Sequence, residues 1–181
     1  MNSAVQAISK GRWGLDRARR TAAEIAGDRA AAKSLVAAMF GDEPELRKRA
    51  ADVARRMTDT DIAPLVKYAD VLAGLLAELP PEESRTRWHL GLVVPRVART
   101  REQRLRAARL MQLLIEDDSN VARCSAVEGI GLLACEEPSL RELAEEIIER
   151  ALRDGTPAMQ ARAHHAKRRL DRVRKLAGDL G

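Results

Sequence analysis

Apolar residues recur along the chain in steps of three and four rather than in alternation. In residues 44–57 they fall at Leu46, Ala50, Val53, Ala54 and Met57, steps of 4, 3, 1 and 3 that trace one face of an α-helix. The same stripe returns at Ala122, Ala126, Gly129, Ile130 and Leu133, and again at Met159, Ala163, Ala166, Lys167 and Leu170. Aligning Arg47, Arg85, Arg123 and Gln160 superimposes PELRKRAADVARRM, EESRTRWHLGLVVP, SNVARCSAVEGIGLL and PAMQARAHHAKRRL at spacings of 38, 38 and 37 residues. Between these segments lie AAAKSLVAAMF, PLVKYADVLAGLLAEL, QRLRAARLMQLLI and LRELAEEIIERAL, each with its own helical periodicity.

Punctuation supports the same elements. Asp42 with Pro44, Pro80 with Pro81, Pro138 with Ser139, and Thr156 with Pro157 all suit helix starts. Thr100 with Gln103 and Ser139 with Glu142 have capping-box spacing. Pro95 is expected to end its helix, since the residue before a proline is biased out of the helical region. The unit is a helical hairpin of about 37 residues, repeated four times over residues 31–181. Residues 1–30 form an N-terminal helical element into which the register does not extend. A hairpin this small cannot bury both apolar faces alone, so stacking predicts an all-α, right-handed α-solenoid forming a single domain.

The order of an apolar residue, an arginine and an alanine three residues on, after an acidic or proline-bearing turn, resembles HEAT repeats. More narrowly, Arg87, Trp88 and His89 followed by Pro95 and Arg96, with AAMF upstream and TPAMQAR downstream, resembles a set of small uncharacterised bacterial HEAT-repeat proteins. The resemblance implies the fold and carries no functional residue.

Composition agrees with close helix packing. Apolar residues make up 45% of the 181, and the only aromatics are Trp13, Phe40, Tyr68 and Trp88. Cys124 and Cys135 lie three turns apart on one expected helix, beyond disulfide reach, and read as thiols of a reducing cytosol. No run of 18 apolar residues occurs and the first 20 residues lack a signal-type core, so the expectation is a cytoplasmic protein with no membrane partner. The net charge of +5 is mainly local: residues 162–175 carry seven basic side chains against Asp171. Residues 136–149 carry six acids and one arginine, a patch that would repel nucleic acid on a shared surface.

Candidate chemistry is sparse. Trp88 aligns with Ala50, Ala126 and Ala163, a large ring at a small-residue position, and is expected to fill the core or anchor a partner in a groove. His89 aligns with Ala51, Val127 and His164, as a half-buried histidine. Adjacent His164 and His165 point about 100° apart and do not form a metal pair, so no metal and no cofactor is implied. Arg47, Arg85 and Arg123 form one register, set about 10 Å apart by helix packing, and Arg49, Arg87 and Arg162 form a second. Such arginines either meet an acidic partner or pair with the aspartates of their own turns, Asp42 and Asp118.

No nucleophile, base and orienter set is present, so catalysis is not expected. The leading expectation is a binding scaffold that recognises a protein or peptide on a concave, arginine-bearing surface through Arg47, Arg85, Arg123, Arg87, Trp88 and Arg162. The alternative is a nucleic-acid-binding protein related in fold to alkylpurine DNA glycosylases. That activity needs aromatics and a carboxylate converging on an extruded base, and Trp88 has neither a second tryptophan in a neighbouring repeat nor an acid within a helical turn.

Overall fold

A computed structural model describes residues 3–178. Among these the chain is all-helical, with 81% of residues in helix and no strand. The helices are α1 (Ser3–Ser9), α2 (Leu15–Glu24), α3 (Arg29–Met39), α4 (Pro44–Met57), α5 (Ala63–Val66), α6 (Ala69–Glu78), α7 (Ser84–Val97), α8 (Arg101–Leu114), α9 (Asn120–Glu136), α10 (Arg141–Asp154) and α11 (Pro157–Gly178).

Local chemistry explains several boundaries. Asp28 caps α3 by accepting from the Ala30 and Ala31 amides at 2.8 and 3.0 Å. Thr100 and Gln103 form the expected capping box at the start of α8. Pro44 and Pro157 occupy the first turns of α4 and α11, and the Thr156 hydroxyl accepts from the Met159 amide at 3.3 Å. The second expected box is absent: Ser139 lies in a 3-10 turn, its amide and hydroxyl both donating to Glu137, and α10 starts only at Arg141.

Helices α4, α7, α9 and α11 pack side by side in that order, with α2 against the outer side of α4. Each also packs on the helix before it: α3 on α4, α6 on α7, α8 on α9, α10 on α11. Helix α1 contacts α3 and α4. Ala4, Ile8, Ala22 and Ile25 belong to the same buried cluster as the residues of the later helices, so the core runs without a break from the N-terminal helices to α11.

The central row is built on small residues. A Cβ on Gly129 of α9 would sit 2.9 Å from Pro95 Cγ and 3.1 Å from the Gly91 carbonyl oxygen of α7, and one on Gly131 would meet Ala166 of α11 at 2.6 Å. Pro95 does not end α7, contrary to expectation; the helix runs on to Val97. Pro95 has no N–H, so the Gly91 carbonyl four residues back has no helical donor. That carbonyl faces Gly129, whose missing side chain leaves room for α7 and α9 to approach.

Burial corrects the repeat register. In α4 the fully covered apolar positions are Ala50, Ala51, Val53, Ala54 and Met57; in α7 Leu90, Gly91, Val93, Val94 and Val97 are covered at the matching positions, together with Thr86 and Leu92. Counted this way, Arg47, Arg87, Arg123 and Gln160 are equivalent, at spacings of 40, 36 and 37, each the fourth residue of its helix. The 3-10 turn Pro81–Glu83 delays the start of α7, which is why an even spacing of 38 misplaces that helix by two residues. Leu90 therefore holds the position of Ala50, Ala126 and Ala163, and Trp88 does not.

Candidate functional site

The arginines of the corrected register are rungs of the fold. Arg47 donates from Nε to the Met39 carbonyl at 3.0 Å and from Nη2 to the Gly41 carbonyl at 2.6 Å, both at the end of α3, and pairs through Nη1 with Glu83, just ahead of α7. Arg87 repeats the forward reach, pairing with the buried Asp117 ahead of α9 at 2.8 Å. Arg123 repeats the backward reach, donating to the Asp117 and Asp118 carbonyls at 2.8 and 3.3 Å. Gln160 donates to the Leu152 carbonyl at 3.3 Å. The aspartates of the turns thus contribute carbonyls to Arg123, and Asp42 is not the partner of Arg47.

In the second register, Arg49 bonds Glu45 and the Ile8 carbonyl, and Arg162 bonds Glu128 at 2.7 Å. Glu128 also faces Arg96, which bonds Asp59 at 2.7 Å and the Thr58 hydroxyl at 3.0 Å. Arg85 alone among the six candidates and Arg49 is exposed and has no hydrogen bond or ion pair among the described residues; its guanidinium lies 5.7 Å from the centre of the Trp88 ring.

That pair marks one wall of an open cleft of about 400 Å³ between α2, α4 and α7, lined by Trp13, Gly14, Leu15, Lys48, Asp52, Arg56, Arg85, Trp88 and His89. Trp88 is half-buried and stacks on His89, with ring centres 4.4 Å apart and planes 30° apart. Trp13 comes from the loop before α2; its Nε1–H donates to Asp52 Oδ2 at 3.1 Å. Arg56 Nε donates to the other carboxylate oxygen at 3.2 Å. Arg17 and Arg49 lie 5.8 and 5.5 Å from the centre of the Trp13 ring. No neighbouring repeat supplies a second tryptophan and no acid stands within a helical turn, but Trp88 shares its cleft with Trp13 from the N-terminal element, 75 residues upstream where no repeat register reaches, and with Asp52 of α4.

His89 is the floor of the cleft. It is 5% exposed, and its Nδ1 has no hydrogen-bond partner, lying 3.9 Å from Asp52 Oδ1. Burial pushes its pKa down to about 4, outweighing the attraction of Asp52, so the imidazole is neutral at pH 7. Asp52 thus has a donor on each carboxylate oxygen, whereas His89 Nδ1 is buried with no hydrogen-bond partner. Sequence periodicity could not find this group, because its members come from three helices and a loop.

Other candidates are less organised. Cys124 and Cys135 are free thiols whose pKa values burial pushes up, which disfavours the thiolate. His165 Nδ1 lies 3.0 Å from Arg168, and no group of three potential metal ligands gathers among the described residues. No described helix is long and apolar enough to cross a membrane. No family model matches the chain, and neither any curated protein nor any solved structure matches it.

Proposed function

We propose that the chain is a non-catalytic scaffold, a right-handed α-solenoid of HEAT-like hairpins, that recognises a protein partner on the face carried by the α4, α7, α9 and α11 row. The observation that carries this reading is the commitment of the row's arginines. Arg47, Arg87, Arg96, Arg123 and Arg162 all spend donors on partners within the chain. The row therefore lacks a ladder of free cations to follow a phosphate backbone. Exposed Arg85, Arg99, Arg168 and Arg172 remain, together with the acids Asp59, Glu128 and Glu136. Mixed, sparse charge suits an acidic segment of a folded or extended partner, for which charge sets orientation and shape supplies affinity.

Peptide-display selection against the whole chain tests this. Acidic segments should be enriched and should be lost when Arg99, Arg168 and Arg172 are changed together to Glu, three exposed positions whose reversal leaves the core intact. Selection with no consensus, or with a consensus indifferent to the triple reversal, defeats the reading.

A nucleic-acid partner is the second reading, favoured by the convergence of Trp13, Trp88 and Asp52 in one cleft. Of the acids at 136–149, Glu142, Glu145, Glu146 and Glu149 lie on α10, outside the row, while Glu136 ends α9 within it, which weakens one objection to this reading. Titration of duplex and single-stranded DNA across a salt series separates the two readings: failure to bind at about 50 mM salt ends the nucleic-acid one.

A further inference from the structure

The forward links from each row arginine to an acid ahead of the next row helix stop at Arg123. Arg47 pairs with Glu83, the residue immediately ahead of α7, and Arg87 pairs at 2.8 Å with Asp117, the third residue ahead of α9. Ahead of α11 the same two places hold Thr156 and Asp154. The Thr156 hydroxyl bonds Asn120 and the Met159 amide, and Asp154 pairs with Arg153 at 2.9 Å. Neither reaches Arg123, which bonds only the Asp117 and Asp118 carbonyls, both through Nη1. Among the described residues its charge has no carboxylate partner, and its Nε and Nη2 carry no hydrogen bond. The cause lies in the links between helices. Residues 115–119 join α8 to α9, and Asp117 within them turns inward until its side chain is 3% exposed. Only Gly155 and Thr156 join α10 to α11, so Asp154 is still the last residue of α10 and its side chain stays 59% exposed.

Between Arg123 and this short link lies a pocket of about 200 Å³. Ile115, Ile147, Ala151 and Met159 form its apolar lining, each otherwise buried. Arg150, the other cation of the pocket, is already held by Glu116 through both Nη atoms. Arg123 is therefore the pocket cation that lacks an acid. Nε–H and Nη2–H leave one edge of a planar guanidinium side by side, the geometry that matches the two oxygens of a carboxylate. We propose that this pocket binds a short-chain monocarboxylate. Its carboxylate takes the place along the row that Glu83 and Asp117 fill for Arg47 and Arg87, and its hydrocarbon tail lies on the four apolar residues. Asp154 lines the same pocket as a like charge and weakens the binding.

The proposal does not rest on the protein-partner reading: a failed peptide selection leaves it intact, and absence of carboxylate binding leaves that reading intact. The test is calorimetric titration of the full chain, at fixed ionic strength, with hexanoate, hexan-1-ol, acetate, and the peptide Gly-Gly-Leu with a free or an amidated C-terminus. Hexanoate should bind saturably at millimolar concentrations or below. Hexan-1-ol, which lacks the charge, and acetate, which lacks the tail, should each bind at least about tenfold more weakly. Arg123→Gln should weaken hexanoate at least about tenfold and leave hexan-1-ol unchanged. Because Arg123 also bonds two carbonyls, the exposed Asp154→Asn gives an independent check: it should tighten hexanoate about two- to fivefold by removing the like charge, with an unaltered melting temperature. Tighter binding of the free-ended peptide, lost on amidation and in Arg123→Gln, would keep the chemistry and make a chain end its source. No saturable binding of either carboxylate, equal binding of hexanoate and hexan-1-ol, or an Asp154→Asn chain that binds hexanoate no more tightly overturns the proposal.

Discussion

Trp13 donates its indole N–H to Asp52 across 39 residues of sequence, and this one bond fastens the loop ahead of α2 to the middle of α4. Asp52 is 8% exposed, so its carboxylate depends on the partners supplied within the chain, Trp13 on one oxygen and Arg56 on the other. Removing one partner of a buried, charge-assisted bond leaves the other under-satisfied, at a cost of about 1–3 kcal/mol. Trp13→Phe should therefore lower stability by about 1–2 kcal/mol while retaining most of the apolar contact. Asp52→Ala should cost more, since it strands both donors. Urea unfolding of the two variants checks the order; a Trp13→Phe chain as stable as the parent would show that the bond does not hold the loop.

The arginines separate into two groups that stability measurements can tell apart. Arg47 is half-buried and bonds two carbonyls at the end of α3 as well as Glu83 ahead of α7, so Arg47→Ala should cost about 2 kcal/mol or more. Arg85→Ala should stay within about 0.5 kcal/mol, as expected for an exposed side chain with no ion pair. Equal losses at the two positions would contradict the distinction between rung and rim.

Helix class and most helix starts were legible because they depend on local signals: the Leu46–Met57 stripe, Pro44, Pro157, and the Thr100–Gln103 box. Two things were not. The 3-10 turn at Pro81–Glu83 shifts α7 by two residues, so an even spacing aligns Arg85 with Arg47 although Arg87 is, like Arg47, the fourth residue of its helix. Even spacing puts Trp88 at an alanine position, where core packing is its natural reading. The candidate cleft was illegible for a different reason, since Trp13, Asp52 and His89 are brought together by the packing of α2 and α7 against α4, and no periodicity within one helix encodes that.

Acid should weaken the fold through His89. Its pKa falls from about 6.5 unfolded to about 4 in place because burial disfavours the imidazolium, and Arg55, Arg56 and Arg85 add to this while Asp52 opposes it. The unfolded chain thus binds more protons than the folded one between these values, so the stabilising contribution is complete above pH 6.5 and is lost as pH falls towards 4. The slope within that window is at most about 1.4 kcal/mol per pH unit. His89→Gln should be less stable at pH 7 yet lose less between pH 7 and pH 4.5 than the parent chain, as read by urea midpoints. Parallel pH dependence in the two chains would remove His89 as the cause.

Gly129 offers the sharpest test of how α7 and α9 approach. In an exposed helix interior, Gly→Ala gains about 1 kcal/mol from reduced backbone entropy in the unfolded chain. Here the new methyl would meet Met111 Sδ at 2.5 Å, Pro95 Cγ at 2.9 Å and the Gly91 carbonyl oxygen at 3.1 Å. The Met111 thioether can turn aside, but the proline ring and the carbonyl are fixed in α7, so relief requires the helices to separate. Overpacking of this kind costs about 1–3 kcal/mol, which exceeds the propensity gain. Gly129→Ala should thus be destabilising by about 1–2 kcal/mol net. Pairing it with Pro95→Ala, which removes the ring and restores a donor to the Gly91 carbonyl, should recover part of the loss, giving a coupling of about 0.5 kcal/mol or more in a double-mutant cycle. Strict additivity would mean that the contact between the proline-freed turn of α7 and the bare backbone of α9 does not set their separation.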